Sequence, residues 1–157
     1  MPDDAWLGGT VRTFTVETLD LIEHRMRKIA EATAAAYECE VSIDFHRNYP
    51  PTINDAEQTQ FAASVMTEVV GEKNVNATVE PTMGAEDFAF MLLAKPGCYA
   101  FLGNGEGSHR DTGHGLGPCT LHNASYDFND ALLSVGSTYW VRLAERFLAA
   151  GADQATR

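Results

Sequence analysis

The residues best placed to do chemistry lie in Leu121-His122-Asn123-Ala124-Ser125-Tyr126-Asp127-Phe128-Asn129-Asp130, where one imidazole ends a glycine-rich loop and precedes an expected helix start. A neutral imidazole nitrogen is the commonest protein metal ligand, and a ligating ring needs its second nitrogen hydrogen-bonded to fix the tautomer. Asn123, Tyr126, Asp127 and Asn129 are the local groups that could do this. The competing reading of His122 is a helix-entrance histidine satisfied by backbone, and spacing alone leaves both open. Upstream, Met83-Gly84-Ala85-Glu86-Asp87-Phe88 sets two adjacent carboxylates at the mouth of a second expected helix. Glu86 and Asp87 could ligate a metal, orient a ligand or complement the helix dipole, and composition favours the dipole. Gly84 would let backbone come close to a ligand, and helix N-termini bind carboxylates well. Together the two stretches suggest one wall of a metal-dependent hydrolase site.

Other candidates carry less. His109 and His114 fall in the glycine-rich loop and read as solvated; His24, inside a helix, and His46, at a strand end, read as structural. Arg12, late in an early strand, could form a bidentate pair with a carboxylate, although a lone strand arginine also suits a surface ion pair. Gly103-Asn104-Gly105-Glu106-Gly107 is no phosphate cradle, because its glycines lead into more loop rather than into a helix. No GxSxG elbow and no Cys/His nucleophilic pair is present.

The elements that must position these groups follow from hydrophobic period. Residues 7–14 read as a strand, and Thr15 as the cap of a helix on which Leu19, Ile22, Met26, Ile29 and Thr33 make one apolar stripe. That stripe needs a sheet to cover. Val41, Ile43 and Phe45 alternate with polar residues as a half-buried strand. Tyr49-Pro50-Pro51-Thr52 is a connection. Asn54 and Glu57 form a capping-box start for a helix through Val70, ended by Gly71. Residues 75–79 are a short β-branched run, 84–93 a helix stopped by Lys95-Pro96-Gly97, and 98–102 a buried strand. Residues 103–121 form a long loop of the kind that is functional or disordered. A final helix over 129–148 carries Leu132, Val135, Tyr139, Leu143 and Phe147 on one face, and a tail follows from Ala149. There is no internal repeat.

Composition bounds the class. With 157 residues, 45% hydrophobic and 21% charged, the chain suits a globular domain. A formal net charge of −11 argues against a nucleic-acid backbone as partner. No apolar run approaches the roughly 20 residues of a membrane span, and the acidic Met1-Pro2-Asp3-Asp4 does not resemble a secretory n-region. Cys39, Cys98 and Cys119, odd in number and without a CxxC pair, read as buried free thiols in a reducing cytoplasm. The pattern changes near Pro50, giving two pieces: an α+β piece before it and part of an α/β layer after it. Neither looks closed, since two strands beside one helix are marginal alone.

Three stretches carry a more specific signal: Pro2-Asp3-Asp4-Ala5-Trp6-Leu7-Gly8-Gly9-Thr10-Val11-Arg12-Thr13-Phe14, Gly84-Ala85-Glu86-Asp87-Phe88, and the His122 stretch. Their order and spacing resemble the C-terminal portion of the aminoacylase, hippurate hydrolase and carboxypeptidase G family of co-catalytic metallo-amidohydrolases, nearest the subgroup of hippurate and auxin-conjugate hydrolases. The resemblance implies an α/β fold with an incomplete zinc-exopeptidase-like catalytic layer. Residues 1–48 would be the second half of a lid and dimerisation domain, and 52–157 the C-terminal part of the catalytic domain. It implies a metal ligand at His122, a grip on the substrate carboxylate at Arg12, and pocket backbone at Gly84 and Ala85. Glu86 and Asp87 belong to the same signature without an assigned role. The parent would hold a divalent metal (zinc, manganese or cobalt), cleave small N-acyl amino acids and form a homo-oligomer. The earlier ligands, the water-activating glutamate and the lid's catalytic histidine are not in this sequence, which is well under half of a full member. The chain alone is therefore expected to have no catalytic residue, to bind no metal tightly and to be inactive. The rival expectation is a non-enzymatic association module derived from such an enzyme.

Overall fold

A computed structural model of the protein describes residues 3–105, 107, 109–110 and 121–155. Four α-helices stand among them: α1 (Val16–Ala36), α2 (Ala56–Val70), α3 (Phe88–Ala94) and α4 (Leu133–Ala155), with 3-10 turns at Glu72–Asn74 and Asp130–Leu132. Contacts divide the chain into two units, Met1–Asp55 with Glu80–Gly97, and Ala56–Val79 with Cys98–Arg157.

In the first unit α1 begins where its cap dictates. The Thr15 side chain accepts from the Thr18 N–H at 3.1 Å, satisfying one of the orphan donors of the first turn. The helix ends in a Schellman pattern: Cys39 N–H donates to the Ala34 carbonyl at 2.9 Å and Glu38 N–H to that of Ala35 at 3.3 Å. That closure needs a left-handed residue, and Glu38 supplies it at φ 53°. A side chain there costs about 1–2 kcal/mol. Glu38→Gly is therefore expected to stabilise the unit by a net ~0.5–1 kcal/mol, after glycine's larger unfolded-state entropy is subtracted. A lower urea midpoint in the variant would contradict this.

The apolar stripe of α1 is only partly covered. Leu19 and Ile22 are half-buried, Met26 is 43% and Ile29 64% exposed, and no α1 residue is buried. What lies along α1 is the 43–47 segment, held by charge. Arg27 Nη1 donates to the Ile43 carbonyl at 3.2 Å while its Nε and Nη2 reach Glu23 Oε1 at 3.0 and 2.7 Å. Arg47 donates to Asp20 Oδ1 at 2.6 Å and, through two nitrogens, to Glu23 Oε2 at 2.9 and 2.6 Å. Hydrogen bonds from Arg27, then from Arg47, hold the Glu23 carboxyl below its ordinary 4.5. With the folded value below the unfolded one, the contribution of Glu23 is present above pH 4.5 and is lost as pH falls through the folded value. Acidification through that window is expected to release the 43–47 segment while α1 persists, read as a movement of that segment's backbone resonances with helical signal retained. Arg47→Ala should release it at neutral pH.

Later in this unit, α3 buries Ala89, and Tyr49 packs on Phe90 with ring centroids 6.0 Å apart. The helix expected over 84–93 begins only at Phe88. Glycine is a poor helix former, and residues 86 and 87 make isolated turns instead, their carbonyls accepting from Ala89 at 3.3 Å and Phe90 at 3.0 Å.

The second unit is built on α2 against α4. Ala62 and Val65 of α2 are buried, and Phe61 meets Phe147 edge-on at 6.4 Å. Arg146 lies 5.7 Å from the Phe61 centroid and reaches Glu68 at 2.7 Å and Ser64 at 3.2 Å. Gly71, at φ 82°, turns the chain out of α2 as its sequence position required. Burial raises the Tyr139 hydroxyl above its ordinary range. The helix expected to stop near 148 continues to Ala155. Alanines at 149, 150, 152 and 155 outweigh the single Gly151, so the end is no tail.

The strand expectations need correction. Residues 7–14, 41–45, 75–79 and 98–102 carry no sheet pairing among the described residues, where the regular structure is helical. An apolar or alternating run encodes which face is buried; a strand exists only when a neighbour answers its N–H and C=O groups. No helix among the described residues is long and apolar enough to cross a membrane. Cys39 is an exposed thiol and Cys98 a half-buried one, rather than both being buried; Cys119 lies outside the described residues.

Candidate functional site

His122 sits in a turn with φ 62°, a left-handed conformation in which histidine is enriched but which still costs energy. Its imidazole is exposed. The groups expected to orient the ring are partly engaged elsewhere. Asn123 Oδ1 accepts from the Ser125 N–H at 2.9 Å and from its hydroxyl at 2.6 Å, closing an Asx turn. Asn129 Oδ1 accepts from the Ala131 N–H at 3.2 Å, capping the 3-10 turn that leads into α4. Between them, Tyr126 N–H donates to the Asn123 carbonyl at 3.0 Å, and the Tyr126 and Phe128 rings meet edge-on at 4.8 Å. The stretch is thus a chain of local turns delivering His122 from the start of α4.

Two residues in the same unit had a role that spacing did not reveal. Asn104 Nδ2 donates to the Asp127 carbonyl at 2.8 Å, and Asn104 Oδ1 accepts from the Asn129 N–H at 2.9 Å. His109, expected to be solvated, is half-buried with Nε2 3.0 Å from the same Asp127 carbonyl, while its Nδ1 is buried without a hydrogen-bond partner among the described residues. These contacts join residues 18 to 25 apart, so no local pattern could signal them. His114 lies outside the described residues.

The remaining candidates belong to the first unit. Arg12 is exposed on the unpaired 7–14 segment and forms no ion pair among the described residues, which leaves its fork open. Gly84 and Ala85 are exposed, and a Cβ at Gly84 would meet only Thr82 Oγ1 at 3.7 Å, so the space beside its backbone is open. Glu86 is half-buried, and Asp87 is exposed at the N-cap of α3 without a side-chain capping bond. Among the described residues no group of three or more His, Cys, Asp or Glu side chains could hold a metal ion. One histidine nitrogen is a sound donor but falls short of the three or more ligands a catalytic centre requires.

A model of the peptidase family M20/M25/M40 matches residues 4–146. Hippurate hydrolase of Campylobacter jejuni is 36% identical over 148 residues, an alignment covering 94% of this chain and 36% of that protein. IAA-amino acid hydrolase ILR1-like 4 of Arabidopsis thaliana is 28% identical over 152 residues, covering 94% of this chain and 33% of its own length. N-acetyldiaminopimelate deacetylase of Enterococcus faecalis is 30% identical over 135 residues, covering 85% and 32% respectively. The chain spans about a third of the length of these curated relatives. No solved structure matches it.

Proposed function

Because the chain belongs to the peptidase family M20/M25/M40, we propose that it is the C-terminal part of a metal-dependent amidohydrolase that cleaves N-acyl amino acids. The observation that carries this reading is the match over residues 4–146, which contains Arg12, the 84–87 stretch and His122 in order. Relatives named for hippurate and for IAA-amino acids support an acylated amino acid as substrate class.

In that parent, residues 1–48 form the second half of the lid and 52–157 the returning part of the catalytic domain. The segments at 7–14, 41–45, 75–79 and 98–102 become strands of an α/β fold once neighbouring chain supplies their pairing. His122 contributes one imidazole nitrogen to a divalent metal (zinc, manganese or cobalt). The metal, when bound, polarises the scissile carbonyl and makes water acidic. Arg12 holds the substrate's free carboxylate by a two-pronged hydrogen bond. Gly84 and Ala85 present backbone to the pocket. Glu86 and Asp87 stand at its rim, where their charge complements the start of α3. The test is hydrolysis of N-benzoylglycine and other N-acyl amino acids by a full-length protein carrying this sequence, with and without chelator. Absence of chelator-sensitive hydrolysis across such substrates would remove the proposal. The isolated chain is expected to be inactive.

A second reading has one observation in its favour, the open stripe of α1 with Met26 and Ile29 exposed. Such a face suits self-association, so the chain would act as a homo-oligomerising module, in a reducing cytoplasm given its thiols. Sedimentation showing a monomer at all concentrations would remove it.

A further inference from the structure

We propose that Asn104 and His109 are positioning residues for His122, acting through the main chain of Asp127 and Asn129. The inference rests on reading His122 as a metal ligand. Asn104 engages an acceptor on one residue and a donor two residues on, the Asp127 carbonyl at 2.8 Å and the Asn129 N–H at 2.9 Å. That is the pairing a facing strand would offer, so one side-chain amide serves as a surrogate sheet partner. His109 adds a second tie to the same carbonyl at 3.0 Å. A carbonyl can only accept, so Nε2 carries the hydrogen.

The need for such a latch comes from His122 itself. Its φ of 62° is unfavourable for any residue with a Cβ and persists only where the surroundings over-determine it. Asn123 and Asn129 spend their side chains on Ser125 and Ala131. The backbone offers a route from the latch to the imidazole: from Asp127, through the Tyr126 N–H bond to the Asn123 carbonyl, to His122 one residue before. Asn104, His109, Asp127 and Asn129 are all half-buried, which shields these bonds from competing water.

Amide hydrogen exchange and backbone chemical shifts of the 157-residue chain test this, with Asn104→Ala, Asn104→Asp, His109→Ala and His109→Gln. Asn104→Ala is expected to speed exchange at the Asn129 amide about fivefold, the population change one hydrogen bond supports. Exchange at the Tyr126 amide should rise with it, and the His122 backbone resonances should move. Asn104→Asp retains an acceptor for Asn129 but turns an oxygen toward the Asp127 carbonyl, so His122 should still shift. His109→Gln keeps an N–H donor near the Nε2 position and should recover what His109→Ala loses. If exchange rises at Asn129 alone while Tyr126 and His122 stay unchanged, the latch serves only the start of α4 and the proposal falls. Should Asn104→Ala lose helical signal, the alanine and glutamine variants of His109 decide on the same readout. Failure of the ligand reading is distinguishable: a full-length His122→Ala variant that kept its metal would remove that reading and leave the exchange results standing.

Discussion

Replacing His122 with alanine in a full-length protein carrying this sequence is expected to lower kcat/KM for an N-acyl amino acid by at least about a thousandfold, or ~4 kcal/mol of transition-state stabilisation. Loss of a group that merely orients a metal ligand already costs roughly 10–100-fold in metal affinity or activity, so loss of the ligand itself should exceed that range. Metal content by elemental analysis must fall with activity; an inactive variant that kept its full metal would assign His122 another role. The strained backbone allows a sharper separation. His122→Gly also removes the ligand but relieves the left-handed φ, so it should be inactive yet more stable than His122→Ala by about 1 kcal/mol. The isolated chain supplies a counter-test. Stoichiometric metal bound by it and lost in His122→Ala would mean that these residues assemble a centre unaided, contrary to the donor count among the described residues.

Arg12→Ala carries the second large effect, expected in KM. Truncating one partner of a desolvated, hydrogen-bonded charge pair costs about 2–5 kcal/mol, which is roughly a 30-fold loss of affinity at the low end. Substrates with a free carboxylate should lose it, and the corresponding amides, which offer no anion, should be nearly indifferent. Arg12→Lys should recover little, because an ammonium group cannot reproduce the planar fork. Equal losses on acid and amide substrates would make Arg12 a structural residue.

Helices were the legible part of the fold. The 3.6-residue stripe of α1, its Thr15 cap and the Gly71 stop of α2 are local statements, and the structure shows each of them. The ends read less well where propensity had to decide between weak alternatives, as at Phe88 and at Ala155. The histidines divide in the same way. His122 was visible as an isolated imidazole before a helix, whereas the partnership of His109 with Asp127 spans 18 residues and leaves no local trace.

By itself the sequence determined that four segments are helical, that Thr15 caps the first and Gly71 ends the second, and the order of three motifs whose resemblance agrees with the M20/M25/M40 match. Each of these is written in neighbouring residues, through period, turn chemistry and residue type. Tertiary structure alone decided that Arg27 and Arg47 hold the 43–47 segment to α1, that Asn104 stands in for a strand beside Asp127, and that His122 takes a left-handed turn. It also decided that the apolar runs stay unpaired among the described residues. The physical reason is that pairing and positioning are relations between distant parts of a chain. A sequence states what each residue can offer, and only the folded arrangement states which offer is taken up.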